Sequence, residues 1–152
     1  MIRIKGTLHP ENILLDLNAE SREEAIHQVA QTLLRDSRVA AWEQFYEQLR
    51  EQDTSTKINL QFGLTLPHTR TDALNDMVMA FGRLAKPITT SEGEIRFIMV
   101  IGIPETMDAE YLRLVGILMR VFRSQEFRRL LLEAKGPAEI IETFTAGETG
   151  KV

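Results

Sequence analysis

The chain has 152 residues, 43% of them hydrophobic, with a formal net charge of -4. That length can bury one sizeable core, and the mild acidity gives no chain-wide attraction to nucleic acid or an anionic membrane. There is no cysteine, which excludes disulfides, thiolate metal sites and thiol nucleophiles.

The opening "MIRIKGTLHPENI" lacks the apolar stretch of a secretory signal, and no apolar run nears the ~20 residues of a membrane helix. A cytoplasmic location without membrane insertion is expected. "NILLDLN" predicts a short strand, followed by a helix through "AESREEAIHQVAQTLLRDS" with Ser21 and Glu24 at capping-box spacing. Ala25, Ile26, Val29, Ala30, Leu33 and Leu34 then share one apolar face, with His27 pointing away from it. Trp42, Phe45, Tyr46 and Leu49 follow the i, i+3, i+4, i+7 pattern of a second helix, expected to run out near Arg50-Glu51. After the polar connection "DTSTKINLQ", Leu64, Thr65 and Leu66 alternate as a strand does. Pro67 cannot donate to a sheet ladder, so the strand ends there or lies on an edge, which puts His68 at its carboxyl end.

"DMVMAFGRL" and "IRFIMVIGIP" are the next strands, with "AKPITTSEGE" between them carrying Pro87 and Gly93 as turn signals. Phe97 to Ile103 is apolar almost throughout, the pattern of a central strand covered on both faces. Asp108 is placed to cap a long helix, and Ser124 a shorter one that Gly136 terminates. Pro137 opens a last helix, "PAEIIETF", and the small, polar 145–152 is expected to be a flexible tail. The architecture predicted is α/β: one domain over 1–152, core about 11–144, a sandwich of a mixed β-sheet flanked by helices on both faces.

Familiar catalytic motifs are missing. No G-x-S-x-G, H-E-x-x-H or G-x-G-x-x-G occurs, and "GETGK" has two residues between its glycines where a P-loop has four. His9, His27 and His68 fall on three different elements, and no metal or other cofactor is expected. The methionines are assigned to core filling. Arg113, Arg120 and Arg123 fit a solvated helix face or a surface for an acidic partner. His68 itself has two readings, a residue at the edge of the core or a neutral imidazole nucleophile. Arg70, Thr69 and Thr71 beside it supply donors that suit an anion.

"GLTLPH", residues 63–68, resembles the glycine, apolar segment, proline and phospho-histidine motif of the type-2 enzyme IIA domains of the bacterial phosphotransferase system, the fructose, mannitol and nitrogen-regulatory class. The likeness extends to "NILLDLNAESREEAIHQVAQTLL", to Arg50-Glu51, to "FIMVIGIPE" and to "SQEFRRLLLEAKGPAEIIETF", in consistent order over about residues 11–144. What the resemblance implies is a phosphohistidine relay, a phosphotransferase activity. His68 would accept a phosphoryl group from the phosphocarrier HPr and pass it to an enzyme IIB cysteine, or hold it as a regulatory signal. Arg50 would lie near His68, with Arg70, Tyr111 and Thr56 as further phosphate-binding or assisting groups.

Two departures from the family pattern stand out. Tyr111-Leu112 occupies the place of a His-Leu pair, exchanging a second histidine for a group that donates one hydrogen bond. The loop from Ser55 to Phe62 is about two residues longer than usual and lacks its glycines, whose bare backbone lets a phosphate approach closely. These departures support an alternative: a non-catalytic, regulatory protein-binding module on the same fold. A small-molecule sensor using the same anion site is a third reading. An exposed sheet edge near Pro67 would also suit a homo-oligomer.

Overall fold

The computed structural model describes residues 3–55 and 61–152, with 54 and 55 described by backbone alone. In chain order the elements are α1 (Ile4–Thr7), a 3-10 turn (Pro10–Asn12), β1 (Ile13–Leu17), α2 (Arg22–Gln31), α3 (Trp42–Ser55), β2 (Leu64–Thr65), β3 (His68–Thr71), β4 (Val78–Thr90), β5 (Gly93–Pro104), α4 (Asp108–Phe122), α5 (Gln125–Glu133) and α6 (Pro137–Glu148). The sheet runs β1-β4-β5-β2, with β3 also paired to β5. β4 and β5 form an antiparallel hairpin, β1 joins β4 in parallel, and β2 and β3 join β5 in parallel. This is the mixed sheet covered on both faces that the sequence predicts, with the apolar Phe97–Ile103 run in its interior.

Alternation along β5 sorts side chains onto two cores, because successive strand residues point to opposite faces. Phe97, Met99 and Ile101 meet the helices α1, α4, α5 and α6 in one cluster. Ile98 and Val100 meet α2 and α3 in the other. The first core is rich in aromatic pairs: Phe122 and Phe144 each stand edge-on to Phe127, with centroids 5.2 and 5.3 Å apart, a favoured ring geometry. The second is thinned by glycine. A Cβ on Gly102 would sit 2.7 Å from both Leu74 Cδ1 and Phe45 Cε1, and one on Gly82 would sit 2.5 Å from Val29 Cγ2. Bare backbone at these points lets α2 and α3 approach the sheet.

The two serine caps and the proline helix start are where they were expected. Ser21 Oγ accepts from Glu24 N at 3.1 Å, Ser124 Oγ accepts from Phe127 N at 3.1 Å, and Pro137 is the first residue of α6. Other boundaries differ. Leu34 is 51% exposed, because α2 stops at Gln31 and the following turns swing it off the apolar face. His27, facing away from the α2 stripe, packs against the rings of Tyr46 and Trp42 at 5.0 and 6.4 Å. α3 continues past Arg50-Glu51 to Ser55, held there by the bidentate pair of Asp53 with Arg22 at 2.5 and 2.8 Å.

Pro87 marks no turn: it lies inside β4, in the register break between Arg83 and Ile88, where no ladder N–H is needed. The turn is Ser91-Glu92, left through Gly93 at φ +136. Gly136 does not terminate α5, which is capped by Ala134; it precedes α6 as its cap in extended geometry. Residues 145–148 are the last turn of α6 rather than a tail, and the Glu148 carboxylate accepts from Ile4 N at 3.3 Å. Val152 packs on the core, and Ile4 and Leu8 are fully buried in it, so the core reaches beyond 11–144 at both ends. Among the described residues no helix is long and apolar enough to cross a membrane.

Candidate functional site

The motif segment forms one edge of the sheet, and the edge is broken. β2 pairs with β5 through Leu64 and Thr65, the chain steps out over Leu66-Pro67, and β3 resumes pairing at His68 opposite Ile101. Pro67 thus lies on an edge, as its missing N–H requires, and still serves the ladder through its carbonyl, which accepts from Ile101 N at 3.0 Å. His68 opens the second short strand instead of closing the first, a correction to the expected carboxyl-end position. The entry to the motif is a sharp turn. Phe62 and Gly63 adopt φ +59 and +77 in succession, and Arg128 lies over the Phe62 ring at 4.8 Å.

The orientation of the His68 ring follows from one contact. Nδ1 lies 2.8 Å from the Leu66 carbonyl oxygen. A carbonyl oxygen only accepts, so Nδ1 carries the proton of the neutral ring and the Nε2 lone pair is left for other chemistry. The ring is half-buried and tilted by 30° against Tyr111, with centroids 5.4 Å apart. Burial raises the Tyr111 pKa above its ordinary 10.0, so at neutral pH the side chain is a neutral phenol with an O–H to donate.

Arg70 lies two residues along β3, on the same face as His68. Its Nε donates to Asp108 Oδ1 at 2.9 Å and its Nη2 to the Glu105 carbonyl at 3.0 Å. Asp108, expected to cap α4, is its first residue, and Met107 holds the cap position without a side-chain bond. One helical turn therefore faces the edge: Asp108 meets Arg70 and Tyr111, three residues on, meets His68, as i, i+3 spacing allows.

The contacts described for Arg50 lie on the α2/α3 side. On α3 it is exposed, lies over the Tyr46 ring at 5.9 Å and lines a cavity of about 380 Å³ with Glu23, Tyr46 and Asp53. No described contact joins it to His68. Thr56 lies outside the described residues, as does most of the 55–62 loop.

Thr69 and Thr71, expected as anion donors beside His68, are buried on the other face of β3, and Arg22 and Gln48, which the sequence did not single out, complete the surroundings. Arg22 ties α2 to Asp53 and donates from Nε to Thr65 Oγ1 at 3.0 Å, and the Thr71 hydroxyl donates to Gln48 Oε1 on α3. Thr65 and Thr71 thus anchor the α2/α3 side of an edge whose opposite side presents His68. Among the described residues, no cluster of three or more His, Asp or Glu side chains is placed to hold a metal.

Comparison with known proteins joins this geometry to a family. The family described as "Phosphoenolpyruvate-dependent sugar phosphotransferase system, EIIA 2" matches residues 7–147. The chain belongs to this family. A fructose-specific EIIA component of Haloferax volcanii is 25% identical over 148 residues, covering 90% of this chain and 96% of that protein. The 2-O-alpha-mannosyl-D-glycerate-specific EIIABC component of Escherichia coli is 24% identical over 146 residues; the match takes in 93% of this chain but 22% of that longer protein. The fold is likewise shared. The nitrogen regulatory protein IIA-Ntr of Neisseria meningitidis superposes with a TM-score of 0.83 at 22% identity, covering 93% of this chain and 98% of that one. In the Escherichia coli complex of enzyme IIAMTL with phosphorylated enzyme IIBMTL, the match has a TM-score of 0.77 at 18% identity, over 92% and 98% of the two chains.

Proposed function

We propose that the chain is a phosphocarrier of the phosphoenolpyruvate-dependent phosphotransferase system, with His68 as the phosphoryl acceptor. The observation that carries this is the bond from His68 Nδ1 to the Leu66 carbonyl at 2.8 Å, which leaves Nε2 as the nucleophile. The Nε2 lone pair attacks the phosphorus of a phosphohistidine on HPr. A new N–P bond forms at Nε2 while the donor N–P bond breaks and its electron pair returns to the donor ring. In the second transfer the thiolate of an enzyme IIB cysteine attacks the same phosphorus, an S–P bond replaces the N–P bond, and neutral His68 is restored. Where no IIB partner takes it, the phosphoryl group serves as a regulatory signal to a target protein.

A loose, metaphosphate-like transition state needs positioning and donors for the three equatorial oxygens more than covalent help. Tyr111 supplies a neutral O–H from beside the ring. Arg70 is the cation on the same strand face, Arg50 is assigned to the same work once a partner docks, and Thr56 is the hydroxyl of the preceding loop. The matching sheet, the motif and the broken edge support this reading, which places the protein in the cytoplasm with its partners.

A second reading, a regulatory module with altered transfer, draws on Tyr111: a phenol whose pKa is raised is neither a cation nor a ready proton shuttle at neutral pH. The test incubates the protein with phosphoenolpyruvate, enzyme I and HPr. An acid-labile, alkali-stable phosphate that His68→Ala abolishes is the expected result. Absence of label on the wild type, where a known enzyme IIA is labelled, removes the carrier reading in favour of the second, and Tyr111→His then shows whether the phenol is the cause.

A further inference from the structure

We infer that Asp108 holds Arg70 in reserve: the guanidinium is a phosphoryl ligand for His68, docked on the Asp108 carboxylate until a phosphoryl group arrives. The inference rests on the proposal that His68 is the acceptor and adds a residue to it that no motif marks.

The geometry supplies the argument. His68 and Arg70 stand two positions apart on β3, on one face, and two strand residues span about 7 Å. Both side chains meet the same first turn of α4, His68 through the Tyr111 ring at 5.4 Å and Arg70 through Asp108 at 2.9 Å. The guanidinium is therefore parked beside the imidazole without being bonded to it.

The pair is built to exchange. Arg70 and Asp108 are 55% and 62% exposed, and an ion pair so open to water contributes little net stability. The second bond, to the Glu105 carbonyl, is also exposed and is replaceable by water. A phosphoryl group on Nε2 offers oxygens of higher charge, and a guanidinium binds such oxygens with two parallel N–H donors. Asp108 bears its separation well, because an acidic residue at a helix N-terminus is favoured by the helix dipole. Arg22, which also bonds this edge, lacks that freedom. It is fixed by two bonds to Asp53 and one to Thr65, with its side chain only 11% exposed.

Asp108 thus acts as a brake of two parts. It occupies the cation the phosphoryl group needs, and while docked it neutralises that cation's field at His68. Substitution by the isosteric amide removes the competitor and keeps the helix start.

The test uses two phosphoryl donors on the full chain. Phospho-HPr reports the carrier reading; phosphoramidate, a small donor that needs no docking surface, reports the brake. With phosphoramidate the donor P–N bond breaks, ammonia leaves with the bonding pair, and the new bond forms at Nε2. Initial labelling rates of His68 are compared for the wild type, Asp108→Asn, Arg70→Gln and the double variant, with melting curves as the check on folding and Arg70→Lys as a second cation variant. Asp108→Asn is expected to raise the phosphoramidate rate about two- to fivefold, the range that releasing an exposed ion pair allows. Arg70→Gln lowers it, Arg70→Lys lowers it less, and Asp108→Asn has no effect once Arg70 is gone. If Asp108→Asn accelerates labelling equally with and without Arg70, the carboxylate acts by plain repulsion and the inference is overturned. An unchanged rate in Asp108→Asn overturns it too. Labelling by phosphoramidate but not by phospho-HPr removes the carrier reading and leaves the brake to be judged on the small donor. No label at His68 from either donor removes both.

Discussion

The two edges of the sheet handle their polar groups in opposite ways. Beside the β1 edge two arginines are largely buried and multiply bonded, although Asp16 on the strand is 80% exposed. Arg83, 8% exposed, reaches from β4 to donate to the Leu131 and Ala134 carbonyls at 2.9 and 2.6 Å and closes the end of α5. Arg38 nearby binds Asp36, the Thr7 carbonyl and Asn12 Oδ1 at 2.8, 2.7 and 3.2 Å, joining α1, the 3-10 turn and the loop after α2. At the β3 edge the Arg70–Asp108 pair is exposed, and so is Arg70's second bond, to the Glu105 carbonyl; the strand itself is interrupted. Groups of the first kind are costly to disturb, since each leaves buried partners unsatisfied. Groups of the second kind can change partners cheaply, as the proposed phosphoryl acceptor site would require.

The contrast is open to direct attack. Arg83→Met is expected to cost the most, about 2–4 kcal/mol in denaturant unfolding, because the buried α5 carbonyls lose their donor; a loss below about 1 kcal/mol would show that the β1 edge is not held as described. Gly102→Ala should follow at about 1–3 kcal/mol, since its Cβ would strike Leu74 and Phe45 at 2.7 Å and force the second core apart. Arg70→Gln and Asp108→Asn should each leave stability within about 1 kcal/mol of wild type, so any larger loss contradicts the picture of an exchangeable edge.

Two pH effects sharpen the same comparison. Hydrogen bonding by Arg38, against the opposing penalty of burial, holds the Asp36 pKa below its ordinary 3.8. The folded state thus binds that proton less readily than the unfolded chain, so the contribution is complete above the unfolded value and is lost as pH falls through the folded one. Asp36→Asn should flatten the acid limb of the stability curve below about pH 4. Tyr111 moves the other way: burial raises its pKa above 10.0, so its contribution is complete below pH 10 and is lost as pH rises through the folded value. Ultraviolet titration should find both tyrosines ionising above the ordinary value, and the transition that disappears in Tyr111→Phe is that of Tyr111. Tyr46, also raised by burial, remains as the internal comparison.

Much of the site was legible only in part. The alternation of Leu64 and Leu66 with Pro67 behind them marked a strand at an edge, and the motif picked out His68. Nothing in the linear order joined Arg70 to Asp108, thirty-eight positions on, although the i, i+3 spacing of Asp108 and Tyr111 would have put both on one helical face. Arg50 is marked only by the family resemblance, and its contact with Tyr46 is one between i, i+4 neighbours on α3. Likewise, the small, polar composition of 145–152 suggested fraying, whereas the Glu148 carboxylate holds the first turn of α1 across the molecule.

Features that depend on residues within a turn or two of one another can be read from the sequence: serine caps, proline at a helix start, apolar stripes, the buried central strand and the motif around His68. Tertiary structure was needed to fix which edge breaks and which carboxylate occupies Arg70, whereas the imidazole nitrogen left open is set locally, by the Leu66 carbonyl two residues back. The physical reason is range. Capping bonds and periodicity are settled within a few residues of backbone, but an ion pair or a carbonyl contact across elements exists only after the sheet has brought distant segments together.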